Sequence, residues 1–125
     1  MGSEAIGYVQ FKNINSGEWE LLPLYDAQGR FVSLWGCSDF CEALEENVLL
    51  SREEARMVNN LTEGYEPDDD YIPDWYSISL PLLKIKGKKN KLLKELSRNV
   101  EAAVRLANVY YRSIDDIRYV YYISY

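Results

Sequence analysis

Apolar residues between Asn90 and Arg112 recur at spacings of three and four: Leu92, Leu93, Leu96, Val100, Ala103, Val104, Ala107, Tyr110 and Tyr111. That period puts them on one face of a long α-helix, and such a face must be buried against something. Segments that read as strands stand before and after it. Ile6 to Ile14 alternates around Val9 and Phe11, then Asn15, Ser16 and Gly17 supply turn chemistry before a second run, Trp19 to Tyr25. Pro23 cannot donate to a ladder, so the second strand is expected to be an edge there or to end near it. After a turn at Asp26 to Gly29, Phe31 to Trp35 completes an N-terminal three-stranded meander.

Two short helices are expected next. Ser38 or Asp39 can cap one with apolar positions Phe40, Cys41, Leu44 and Val48, leaving Asp39, Glu42, Glu45 and Glu46 toward water. Ser51 with Glu54 is a capping-box signature for another, carrying Val58 and Leu61 and stopping near Gly64. Residues 65–74, YEPDDDYIPD, hold two prolines and five acids without a usable period, and read as a loop. Tyr76, Ile78 and Leu80 alternate as a strand would; Pro81 interrupts, and Leu82 to Lys86 continues the strand after a bend. Tyr119, Tyr121, Ile123 and Tyr125 then share one face of a last strand, Arg118 to Tyr125. The expected fold is α+β: an antiparallel sheet of about five strands, the meander plus two later ones, packed on the long C-terminal helix.

At 125 residues, with 47% apolar and 27% charged, the chain has material for one globular domain spanning 1–125. Met1, Gly2 and Ser3 read as a cloning remnant. The absence of a signal-peptide core or a long apolar run points to a soluble, cytoplasmic protein without membrane association. Cys37 and Cys41 fit a reducing compartment; beside Phe40 and Leu44 they read as small buried hydrophobes. Eleven tyrosines are a heavy load, and a tyrosine-rich strand ending the chain at a sheet edge suggests a homodimer contact.

Charge is divided unevenly. Met1 to Asp74 holds 16 acids against 4 bases, −12, and Trp75 to Tyr125 holds 4 acids against 10 bases, +6. An acidic surface of that kind suits a basic partner. There is no histidine, no phosphate-cradling glycine motif and no ligand set for zinc, so the chain reads as non-enzymatic, without metal or cofactor. Partner contact is expected from Glu66, Asp68, Asp69, Asp70, Tyr71, Asp74 and Trp75, where carboxylates would steer encounter and aromatics would hold the complex. The alternative is a small-ligand or nucleotide-binding module in which Lys91, Arg98, Arg105 and Arg112, recurring every seven residues, meet phosphates. Glu95 and Glu101 are placed to pair with Arg98 and Arg105, which disfavours direct nucleic-acid binding.

With its acidic first half and its Glu66-Pro67-Asp68-Asp69-Asp70 run, the chain resembles the small acidic proteins of phages and other mobile elements that inhibit host defence, such as anti-CRISPR and anti-restriction proteins. The resemblance implies an inhibitor that occupies a basic surface of a host nucleic-acid-binding or defence protein. It assigns no particular residue.

Overall fold

The alternation seen in the first strand builds both faces of the sheet. The structure, a computed structural model, describes residues 4–22, 33–35, 48–63 and 72–124. Strand β1 (Glu4–Lys12) pairs antiparallel with β6 (Ile117–Ser124) over its length, Ile6 opposite Tyr122 and Phe11 opposite Ile117. Because side chains alternate, Val9, Phe11, Ile117, Tyr119 and Tyr121 go to one side, and Ile6, Tyr8, Gln10, Arg118, Val120 and Tyr122 to the other.

The fold is α+β, and every strand pairing in its sheet is antiparallel. On the far edge of β6 lie β5 (Tyr76–Ser79) and then β4 (Val48–Leu49). The outer edge of β1 is shared by β2 (Trp19–Leu21), opposite residues 10–12, and β3 (Ser33–Trp35), opposite residues 4–6. A meander would pair β2 with β3; among the described residues both pair with β1 instead, one after the other. The hairpin between β1 and β2 closes as its residues require: Gly17 takes φ +71°, and its N–H donates to the Asn13 carbonyl at 2.8 Å. Strand β2 ends just before Pro23, and the Leu22 N–H still reaches the Val9 carbonyl at 3.1 Å.

Each face of the sheet is covered. Helix α3 (Lys91–Ala107) buries Leu93, Leu96, Val100, Ala103 and Val104 on the Val9–Tyr119 side, together with Leu80 and Leu83 of α2 (Leu80–Gly87). The expected strand from Leu82 to Lys86 is therefore a helix. Ser79 caps it by accepting from the Leu82 N–H at 3.3 Å, and Pro81 sits in the first turn, where a missing N–H costs nothing. Helix α3 is shorter than its apolar period: Asn108 turns left-handed at φ 50° and ends it, so Tyr110 lies beyond the helix and is 78% exposed.

On the other side, α1 (Arg52–Glu63) lays Ala55 and Val58 over Ile6, Tyr8 and Val120. Its start follows the expected cap, with the Glu54 N–H donating to Ser51 Oγ at 3.2 Å, but Leu61 is exposed where burial was expected. Cys37, Cys41 and most of the first expected helix lie outside the described residues; Val48, its last apolar position, belongs to β4 and is exposed.

The last strand is central, not an edge. Tyr119 and Tyr121 are buried under α3, with ring centroids 5.5 Å apart, and Tyr76 stacks on Tyr121 at 5.7 Å. A homodimer seam through these tyrosines would require opening the core. Gly7 makes room for them: a Cβ there would stand 2.0 Å from Tyr119 Oη.

Candidate functional site

Gln10 and Arg118 face each other across β1 and β6 on the α1 side, where Ile6, Tyr8, Val120 and Tyr122 are otherwise apolar or aromatic. The fully buried Gln10 accepts from Arg118 Nε at 2.9 Å. The guanidinium carbon lies 4.2 Å from the centre of the Trp19 ring, a cation–π stack supplied by β2. Arg118 Nη1 stands 3.9 Å from the Glu54 carboxylate of α1. Burial pulls the Arg118 pKa down to about 10, against the opposing pull of Glu54, so the group stays charged at neutral pH.

These residues floor a cavity of about 210 Å³ between α1 and the β1–β2 hairpin. Its walls are Trp19, Val58, Met57 and Leu61, with Glu18 and Glu54 also lining it. Helical spacing produces one wall: positions 54, 57, 58 and 61 succeed one another at three and four on a single side of α1. Met57 and Leu61 are both more than half exposed, beside carboxylates. The arrangement offers an apolar slot with a fixed cation at its base and two exposed carboxylates around it.

A second cavity, about 330 Å³, lies between the hairpin turn at Asn13 to Gly17 and the pair Arg112 and Asp116. Two of its polar side chains already have partners: Asn13 Oδ1 accepts from the Asn15 N–H at 2.7 Å, and Asp116 accepts from the N–H groups of Arg112 and Ser113, both at 3.2 Å.

The residues expected from sequence to bind a partner are distributed differently. Glu66, Asp68, Asp69, Asp70 and Tyr71 lie outside the described residues. Asp74 is exposed. Trp75 is not a surface anchor: it is 0% exposed, wedged between Tyr8 at 6.0 Å and Tyr122 at 4.8 Å. Its carbonyl also accepts the Leu50 N–H at 2.8 Å, so it secures the segment entering β5. Ile72, buried in the same cluster, accepts from Arg52 Nη1 at 3.3 Å, which brings the described end of the acidic segment onto the α1 side. Lys91, Arg98 and Arg105 are all exposed on α3; Arg112, past the helix end, does not continue their row.

The Gln10–Arg118 pair was missed because its members are 108 residues apart. A signal was present, since a glutamine on the Ile6–Tyr8 face and an arginine on the Val120–Tyr122 face are polar residues on strand faces that are otherwise apolar or aromatic. Among the described residues no helix is long and apolar enough to cross a membrane.

The described residues thus form an α+β fold with a small slot between helix α1 and the sheet. No family model matches the chain, and neither a curated protein nor a solved structure matches it.

Proposed function

We propose that this is a non-enzymatic binding protein that seats an apolar side chain from a basic protein segment in the groove between α1 and the β1–β2 hairpin. The supporting observation is the apolar slot of Trp19, Met57 and Leu61 with Glu18 and Glu54 beside it. Its volume, about 210 Å³, is below the roughly 300–1,000 Å³ typical of small-molecule pockets and suits a single anchor side chain. Arg118 at the base disfavours a cationic tip on the anchor. The carboxylates favour cationic residues flanking it. The run of acids at 66–70 stands two residues before Ile72, which is buried on the α1 side, and would add to the same attraction. A basic surface on a host nucleic-acid-binding or defence protein is the partner that an inhibitor of the phage type would cover in this way.

The experiment is affinity capture from source-cell lysate with the whole chain and with a Met57→Asp/Leu61→Asp variant. Both side chains are exposed, so the fold is retained. The parent is expected to hold a basic protein that elutes with salt, and the variant to lose it. Equal retention by both, with equal salt resistance, would sink the reading.

A further inference from the structure

We propose that the hairpin of α2 and α3, on the opposite side of the sheet from the groove, is a contact surface for the phosphate backbone of double-stranded nucleic acid. From Lys84 to Arg105 the chain carries eight cations and two acids, +6 within a protein whose total is −6. Lys84, Lys88, Lys89, Lys91, Lys94, Arg98 and Arg105 are all exposed.

The two acids placed to pair with the row, Glu95 and Glu101, make no ion pair with its arginines. Glu101 pairs with Lys84 across the two helices, and among the described residues no ion pair engages Arg98 or Arg105. Lys91, Arg98 and Arg105 follow one another at seven-residue intervals, a row about 21 Å long that drifts by only about 20° per step. Along one strand of a duplex, that length faces about six phosphates at roughly 3.4 Å of axis each, enough for one per cation.

The surface is also held in place before any ligand arrives. Asn90 caps α3 by accepting from the N–H groups of Leu92 and Leu93 at 3.0 and 3.2 Å. At the turn the helices nearly touch: a Cβ on Gly87 would stand 2.9 Å from the Lys94 Cα. Lys88 and Lys89, in the turn before the row, are exposed on a backbone held by N–H bonds to the Ile85 and Lys86 carbonyls. The carboxylates of α1 lie beyond the sheet, and one helix is already about 10 Å thick, so at physiological salt they are screened from this face.

The row fits a duplex better than the alternatives. No aromatic residue stands between its cations to stack an unpaired base, as single-strand binders use. On the two helices the exposed large apolar side chains are Leu82, Ile85 and Leu106, too few to bury a helix face in a bilayer surface.

The test is fluorescence anisotropy of a labelled DNA duplex of about 20 base pairs, titrated with the whole protein between roughly 50 and 200 mM salt. Contacts from Lys91, Arg98, Arg105 and one turn lysine predict a log–log salt slope of about −3.6, hence about a 150-fold loss of affinity over that range. Changing Lys91, Arg98 or Arg105 to Ala should each flatten the slope by about 1, and the triple variant should bind little. Met57→Asp/Leu61→Asp should bind the duplex like the parent, which separates this surface from the groove. The proposal is overturned if the parent ignores the duplex at low salt or if the triple variant keeps the parental slope. It is overturned equally if phosphatidylserine vesicles or a single strand are bound in preference to the duplex.

Discussion

Replacing Gly7 with Ala adds one methyl group at a crowded point of the sheet. The new Cβ would lie 2.0 Å from Tyr119 Oη, 2.1 Å from Cζ and 2.3 Å from Cε2. Carbon atoms are comfortable at about 3.5–4.0 Å, so the phenol ring must retreat by at least about 1.5 Å. It has nowhere simple to go. Tyr119 is buried in the α3-side core and its ring lies against Tyr121. Overpacking of this kind costs about 1–3 kcal/mol. Against it, removing a glycine from a strand interior recovers about 0.5–1 kcal/mol. Since a rigid ring, not a flexible side-chain end, must yield, a net loss of about 2 kcal/mol is expected. Urea unfolding should show this as a lower midpoint with an unchanged slope. Tyr119→Leu removes the obstructing ring, so the double variant should be less unstable than the sum of the singles by at least about 0.5 kcal/mol. A Gly7→Ala protein whose midpoint matches or exceeds the parent's would refute the placement of Tyr119 over Gly7.

Other outcomes follow from the same core and charges. Leu96→Ala, at a buried α3 position, should cost about 2–5 kcal/mol in the same unfolding assay, and a surface-like loss under about 0.5 kcal/mol would misplace the helix face. Trp75→Ala should lower stability by about 3–5 kcal/mol, where an interface residue would weaken only binding; a stable variant would contradict its place between Tyr8 and Tyr122. Burial raises the Tyr119 pKa above its ordinary 10.0, so its contribution to stability is full below pH 10 and declines as the pH rises above that value. Ultraviolet titration should find at least one tyrosine silent until the fold opens, and full ionisation of all eleven before unfolding would count against it. Asp68→Asn/Asp69→Asn/Asp70→Asn should slow capture of the basic partner and flatten its salt dependence in binding kinetics, whereas parental rates at low salt would make that segment a connector.

What could be read from sequence was whatever repeats locally. The three-and-four spacing of Leu93, Leu96, Val100 and Val104 identified the core face of α3, and the alternation around Val9 and Phe11 identified β1. The period could not show where α3 stops, because Tyr110 and Tyr111 stay in phase with it while Asn108 has already turned the chain. Leu82 to Lys86 is too short for a period to tell helix from strand, and Pro81 reads equally as a strand break or a helix start. Trp75 beside a run of acids looked like an anchor, since nothing local marks it as lying between Tyr8 and Tyr122. The groove is the least local feature of all: Gln10, Trp19, Glu54 and Arg118 meet only after four elements have been assembled.

The central position of β6 also governs the order in which the fold can form. Strands β1 and β5 do not pair with each other; they are joined through β6. Closing the β1–β6 ladder brings together residues more than a hundred positions apart, a contact whose loop-closure entropy is met before any reward from pairing. During synthesis the N-terminal hairpin must therefore wait with one long side of β1 unpaired until residues 117–124 have emerged. Over that interval the open edge of β1 is available to any other extended chain, including a second nascent copy.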